Sequence, residues 1–137
     1  MMLRQRLIHL AFFSDTNASR FTLGMAELIW AVSLFWPGDT FSRPTYTAMA
    51  ELMSEEAWGA LFLATGLLQF AILIRHRFHN RYAVAFAAWN TMLWWYATIS
   101  TYASVYPPPA GISGELALAI TASWVLVKSG YLAIPKE

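Results

Sequence analysis

The chain has 137 residues, of which 58% are hydrophobic and 12% are charged, whereas about a quarter of an ordinary soluble domain is charged. Nine Lys and Arg nearly balance eight Asp and Glu, which argues against the excess positive charge of a nucleic-acid-binding protein. The chain has no cysteine, so disulfides, thiolate metal sites and cysteine nucleophiles are excluded. Because a chain of this size cannot bury so much apolar surface by itself, we expect lipid to cover much of it.

The first 13 residues predict a short amphipathic helix that lies in the membrane interface. Arg4, Arg6 and His9 are set against leucines at helical spacing. A secretory signal is the alternative interpretation, but its apolar core would be only about seven residues long and would contain a histidine.

Four apolar segments predict four membrane-spanning helices, at about residues 20–37, 56–74, 82–104 and 112–134. The second contains 18 consecutive residues without a charge, Ala57 to Ile74. As a helix these would rise about 27 Å, close to the ~30 Å thickness of the hydrocarbon layer. We therefore predict one all-α membrane domain over residues 1–137, an integral membrane four-helix bundle.

The 38–56 loop between the first two spans is acidic, and Arg43 is its one cation. Residues 45–53 predict one or two helical turns that rest Met49, among others, on the membrane. Ser54 and Ser113 are candidate caps for the second and fourth spans.

The distribution of cations predicts the orientation, because Lys and Arg near span ends remain in the cytoplasm. All but Arg43 lie on one side, so both termini are expected to face the cytoplasm of a bacterial inner membrane. The arginines expected to set this orientation and contact lipid headgroups are Arg4, Arg6, Arg20, Arg75, Arg77 and Arg81. Docking of a partner is the alternative role for the basic turn at residues 75–81.

Aromatic side chains are expected to form belts at the two interfaces. The predicted outer belt consists of Trp36, Trp58, Tyr102 and Tyr106, and the inner belt of Tyr82 and Tyr131. The remaining tryptophans, Trp89, Trp94, Trp95 and Trp124, are expected to serve bundle packing or lipid contact rather than to form a ligand cage.

One strongly polar residue lies within each predicted span: Glu27, Gln69, Asn90 and Lys128. Counted from the nearest cytoplasmic charge, each lies about 9–13 Å deep. The four are therefore expected to share one layer in the inner leaflet. Ionisable residues inside a span are costly, so they usually mark function or a specific partner.

Helical phase predicts that small residues share an inward face with this layer, as in closely packed membrane helices. The predicted stripes are Gly24, Glu27 and Ala31; Gly59, Gly66 and Gln69; Ala83, Ala87, Asn90, Ala97 and Thr101; and Gly114, Ala117, Thr121 and Lys128.

Several roles for the polar layer are compatible with the sequence. Glu27 and Lys128 can form a structural ion pair whose hydrogen bonds are completed by Gln69 and Asn90. Alternatively, Glu27 is a proton or cation site, Lys128 extends to the interface, or the layer forms contacts between subunits.

Two resemblances bear on function. The segments WPGDTFSRPTY and EEAWGALFLATGLLQF, within residues 30–70, resemble small uncharacterised membrane proteins of tailed bacteriophages and prophages. The four spans and the pair Ala26-Glu27 are similar to the small multidrug resistance transporters, a family with an essential acidic residue in the first span. The first resemblance implies a protein acting on the host inner membrane, and the second implies a transport role for Glu27.

No nucleophile–base pair, carboxylate dyad, phosphate-binding loop or metal-ligand spacing is visible, so we predict no enzymatic activity, cofactor or metal. The sequence favours a phage- or prophage-encoded protein that acts through helix association, as an adaptor or exclusion factor or as a holin-like pore former. Its expected partners are the lipid bilayer and a further copy or another membrane protein, and not nucleic acid. The alternative is a small proton-coupled transporter.

Overall fold

The computed structural model describes residues 16–74, 80–107 and 110–133, and within these ranges the chain is all-α. The α-helices, in chain order, are α1 (Asn17–Phe35), α2 (Thr47–Leu52), α3 (Glu55–Ile74), α4 (Asn80–Ser104) and α5 (Ile112–Leu132). Two short 3-10 helices, Thr40–Ser42 and Pro44–Tyr46, lie between α1 and α2. The four long helices occupy the positions of the four predicted spans.

Two of these helices are long and apolar enough to cross a membrane, namely α3 and residues Ile112–Tyr131 of α5. The other two are of similar length, with 19 residues in α1 and 25 in α4. They are more polar because α1 carries Arg20 and Glu27, and α4 carries Asn90 beside three tryptophans and three tyrosines.

Helices α1 and α3 are antiparallel neighbours that approach most closely at glycines. A β-carbon at Gly24 would lie 3.0 Å from the ring of Phe70, and one at Gly66 would lie 3.0 Å from the side chain of Leu28. Gly59 makes a third such approach, at 3.1 Å from a ring of α1. Any larger residue at these positions must displace a neighbouring side chain, so the glycines set the distance between the two helices.

Helices α4 and α5 form a second antiparallel pair. The indole Nε1 of Trp95 donates a hydrogen bond to Ser123 Oγ at 2.8 Å across this pair. Large side chains connect it to the first pair, and one link is the hydrogen bond from Trp89 Nε1 to Thr65 Oγ1 at 3.3 Å. The bundle is therefore narrow between α1 and α3 and wider between α3 and α4.

The segment between α1 and α3 is held to the bundle by polar contacts. The backbone N–H groups of Thr40 and Phe41 donate to the two carboxylate oxygens of Glu55 at 3.0 and 3.2 Å. The N–H of Ala48 donates to Ser104 Oγ at 3.2 Å, which joins α2 to the end of α4. This segment consequently forms a cover over one end of the bundle.

The local predictions for this region have mixed outcomes. Ser54 caps α3 as predicted, since its Oγ accepts the N–H of Ala57 at 3.3 Å. The Ser113 cap is wrong, because Ser113 lies inside α5 and its hydroxyl donates to the carbonyl of Ala110. Met49 does not rest on a membrane surface, because it is fully buried against the bundle.

The predicted inward stripes are confirmed for α1 and α3, where every member is buried. In α4 the stripe is buried except for Ala83, which is half-buried. The stripe of α5 is wrong, since Gly114 and Ala117 are exposed. Its buried face is rotated by about one residue and consists of Glu115, Ala119, Ala122, Val125, Lys128 and Ser129. The position of small residues alone did not predict this face, which includes the large side chains of Glu115, Val125 and Lys128 and the hydrogen bond from Arg20 to Ser129.

Other predictions lie outside the described residues. They are the interfacial helix of residues 1–13 with Arg4, Arg6 and His9, and the turn residues Arg75, His76, Arg77 and His79.

The close approach of α1 and α3 leads to a stability prediction. Gly66→Leu should lower the free energy of unfolding in detergent by about 2 kcal/mol, because the larger side chain forces apart a well-packed contact. Gly130→Leu is the matched control, since no described residue lies within 4 Å of a β-carbon built there, and it should change stability by less than about 0.5 kcal/mol. Equal losses in the two variants would contradict this account of the interface.

Candidate functional site

The strongest candidate site is centred on Glu27, which lies in the middle of α1 and has no exposed surface. Trp94 Nε1 donates to Glu27 Oε1 across a long hydrogen bond of 3.4 Å. The second carboxylate oxygen, Oε2, is buried and has no hydrogen-bond partner. A buried carboxylate is ordinarily bonded at both oxygens, and among the described residues Glu27 is bonded at only one, which makes it a candidate functional residue.

Three rings, one from each of three helices, cover the site on one side. Trp30 of α1, Phe62 of α3 and Trp94 of α4 lie in mutual contact, with centroid distances of 5.1, 5.5 and 5.9 Å. Phe62 and Trp94 have no exposed surface. This packing fixes the indole that donates to Glu27 and fills the gap between α3 and α4 with apolar surface.

Two amides of the predicted polar layer lie beside Glu27. Asn90, one turn before Trp94 on α4, is 2% exposed, and its amide is close enough to the Glu27 carboxylate for a weak hydrogen bond that falls outside ideal geometry. Gln69 of α3 contacts α1 at Gly24, one turn before Glu27, and its Oε1 is also unpartnered. The layer therefore contains donors and acceptors that its own members do not satisfy.

The predicted ion pair between Glu27 and Lys128 is not the arrangement found. The carboxylate of Glu27 has Trp94 as its hydrogen-bond partner. Lys128 is buried, as predicted, but its Nζ lies 5.0 Å from the ring centroid of Trp124, one turn earlier on the same helix. Lys128 precedes Ser129 on α5, and Ser129 accepts a hydrogen bond from Arg20 in the first turn of α1. This end of α5 therefore packs near the start of α1 and not at the level of Glu27.

Arg20 explains this difference. We expected it at the headgroups, but it is 6% exposed and its Nη2 donates to Ser129 Oγ at 2.7 Å, while Nη1 is unpartnered. Arg20 thus lies inside the bundle, so the depth of Glu27, which was counted from Arg20, was counted from a buried residue and not from the surface. Glu27 is seven residues further along α1, about 10 Å away.

The aromatic belt requires one correction. Trp58 is 2% exposed, donates from Nε1 to the carbonyl of Met49 at 3.0 Å and stacks on Tyr96, so it belongs to the core. The other members of the predicted belt are more than half exposed: Trp36, Tyr82, Tyr102, Tyr106 and Tyr131. Arg81 is also exposed, at the start of α4.

A cavity of about 450 Å³ lies at the end of the bundle that the α1–α3 segment covers. Its lining includes Glu115 of α5, Arg43 and Tyr46 of the covering segment, and Trp30 of α1. This site is not evident from the sequence, because Glu115 has the position of an ordinary acid in the first turn of a helix and Arg43 that of an isolated loop cation. The one available signal was an acid within a predicted apolar span. Among the described residues, no three His, Asp or Glu side chains are grouped to hold a metal ion.

The open carboxylate of Glu27 leads to a prediction for double-mutant cycles on the free energy of unfolding. Glu27→Gln and Lys128→Met should be additive, with a coupling below about 0.5 kcal/mol, because the two side chains are not partners. The reference cycle, Arg20→Met with Ser129→Ala, should show a coupling of about 1.5 kcal/mol for a hydrogen bond to a charged group. A Glu27–Lys128 coupling as large as the reference would restore the ion pair and contradict the geometry.

Comparisons with known proteins give no match: no family model, curated protein or solved structure is significantly similar to this chain. The resemblances to phage membrane proteins and to small multidrug resistance transporters therefore stay predictions.

Proposed function

We propose that this chain is a four-span protein of the bacterial inner membrane, with both termini in the cytoplasm. In this proposal it acts without enzymatic chemistry, through association of its helices with a further copy or with another membrane protein. A phage or prophage origin is part of the proposal and rests on the sequence resemblance of residues 30–70.

The observation that carries the proposal is the reversed polarity of the bundle. Each long helix buries one strongly polar side chain that is at most 2% exposed: Glu27, Gln69, Asn90 and Lys128. Each also exposes large apolar side chains by more than half, as with Val32, Leu67, Ile99 and Val127. In water, both the burial of these polar side chains and the exposure of these apolar side chains would cost free energy. In lipid the apolar surface needs no further cover.

Charge supports the proposed orientation. The exposed cation Arg81 lies in the first turn of α4, and the covering segment at the other end carries Asp39 and Glu51 as exposed acids. Under the positive-inside rule the Arg81 end faces the cytoplasm, so the covering segment and the cavity face the opposite side.

Packing favours an adaptor or exclusion factor over a holin-like pore within one chain. The rings of Trp30, Phe62 and Trp94 fill the interior at the level where a channel would pass. A pore would therefore have to form between several copies. Association through the exposed apolar faces of the long helices requires no rearrangement of this core.

A second candidate function is proton-coupled transport with Glu27 as the proton or cation site. It is favoured by the buried Oε2 of Glu27, which has no hydrogen-bond partner among the described residues, and by the polar amide of Asn90 beside this carboxylate. A buried carboxylate with an open position can take up and release a small ion as its surroundings change.

Induced expression in bacteria distinguishes these functions when membrane potential and proton uptake are followed together. An adaptor leaves both unchanged, which is the expected result. A pore former collapses the potential, and a transporter gives substrate-dependent proton uptake that Glu27→Gln abolishes. Glu56→Gln, at an exposed acid, is the matched control, and loss of potential in cells expressing the wild-type chain would overturn the adaptor proposal.

A further inference from the structure

The cavity beside Glu115 has the features of a small-molecule site and plays no part in the helix association proposed above. Its volume of about 450 Å³ lies within the usual range for ligand pockets, roughly 300–1,000 Å³. The apolar part of the cavity wall includes Trp30, Leu34 and Leu118, and Tyr46 adds an aromatic ring with a hydroxyl group.

Glu115 supplies a carboxyl group on one wall of the cavity. It is 7% exposed, it lines the cavity, and its Oε2 has no hydrogen-bond partner. A carboxylate that is nine-tenths buried and incompletely bonded loses solvation without compensation. A ligand that donates hydrogen bonds and carries positive charge would replace the solvation that the Glu115 carboxylate loses on burial.

Arg43 supplies a positive charge to the same cavity, and Tyr46 lies within the influence of both charges. Burial and the negative charge of Glu115 raise the pKa of the Tyr46 hydroxyl, and the guanidinium of Arg43 opposes that shift. Oε2 of Glu115 has no hydrogen-bond partner among the described residues, so this oxygen is not bonded to Arg43. The cavity thus presents a carboxyl group and a guanidinium, and Oε2 of the carboxyl group is available to a ligand.

We propose that this cavity binds a small zwitterion that carries an ammonium group and a phosphate or carboxylate group. Glu115 receives the ammonium, and the guanidinium of Arg43, suited to planar two-point contacts with such anions, receives the phosphate or carboxylate. The rings of Trp30 and Tyr46 cover the carbon atoms between the two charges and add cation–π attraction for the ammonium.

The shared chemistry has two sources in a bacterium. One is the headgroup of a zwitterionic lipid, because the cavity lies at the end of the bundle where the proposed spans leave the membrane. The other is a soluble zwitterion of the same kind.

Phosphoethanolamine is the probe for binding to the purified full-length chain, and tryptophan fluorescence is a suitable readout because Trp30 lines the cavity. We expect saturable binding that Glu115→Gln weakens by about tenfold or more, as for loss of a charge-assisted hydrogen bond. Arg43→Gln should weaken it to a similar extent, and because Arg43 is exposed in the covering segment, this variant is not expected to disturb the core. Glu51→Gln, at an exposed acid outside the cavity lining, is the matched control and should bind normally.

Ethanolamine and inorganic phosphate test whether both charges are needed. Each should bind at least about tenfold more weakly than phosphoethanolamine, since each uses one of the two charged contacts. Equal binding of ethanolamine, no binding of phosphoethanolamine, or binding that both substitutions leave unchanged would overturn the proposal.

In nanodiscs, competition by phosphatidylethanolamine but not phosphatidylglycerol identifies the lipid headgroup as the source, and the absence of competition identifies a soluble zwitterion. The outcome for membrane potential does not affect this result, so the two proposals fail separately.

Discussion

The close antiparallel contact of α1 with α3 is the constraint on which the rest of the bundle depends. At Gly66 the space of a side chain is taken by Leu28 and by the β-carbon of Glu27, which would lie 3.2 Å from an added β-carbon. Because α3 lies this close, the carboxylate of Glu27 is covered completely and is directed toward α4. The two remaining helices cannot approach α3 as closely, and the ring cluster around Trp94 fills the gap. The glycines thus determine both the burial of Glu27 and the identity of its hydrogen-bond donor.

Two of the described carboxylates, Glu27 and Glu115, are buried with one oxygen that has no hydrogen-bond partner. The two carboxylates are separated along the bundle, and Trp30 is the side chain common to their surroundings: it lines the cavity and packs against Trp94, the donor to Glu27. Unsatisfied buried carboxylates cost stability, so a fold retains them where a proton, a cation or a ligand completes their bonding. A buried and incompletely bonded carboxylate is therefore the common basis of the proposed cavity ligand and of the alternative role of Glu27, and each has its own test.

Sequence periodicity predicted much of the fold. Apolar runs predicted the four long helices, and the spacing of glycines predicted the inward faces of α1 and α3. Partners of individual side chains were not predictable in this way. The layer was assigned by counting residues from cations assumed to lie at the surface, and Arg20 is buried against Ser129 instead. Likewise Trp58 had the position of a belt residue but is held in the core by its hydrogen bond to the carbonyl of Met49. Such contacts depend on three-dimensional packing, which the spacing of residues along the sequence does not specify.

The membrane topology is the central claim, and cysteine labelling tests it most directly because the chain has no cysteine of its own. Ser42→Cys and Tyr82→Cys place single thiols at exposed positions at opposite ends of the bundle. In intact spheroplasts an impermeant maleimide should label the first, whereas the second should react only after lysis. Labelling of Tyr82→Cys in intact spheroplasts, or equal labelling of both as in an antiparallel dimer, would contradict four spans with both termini in the cytoplasm.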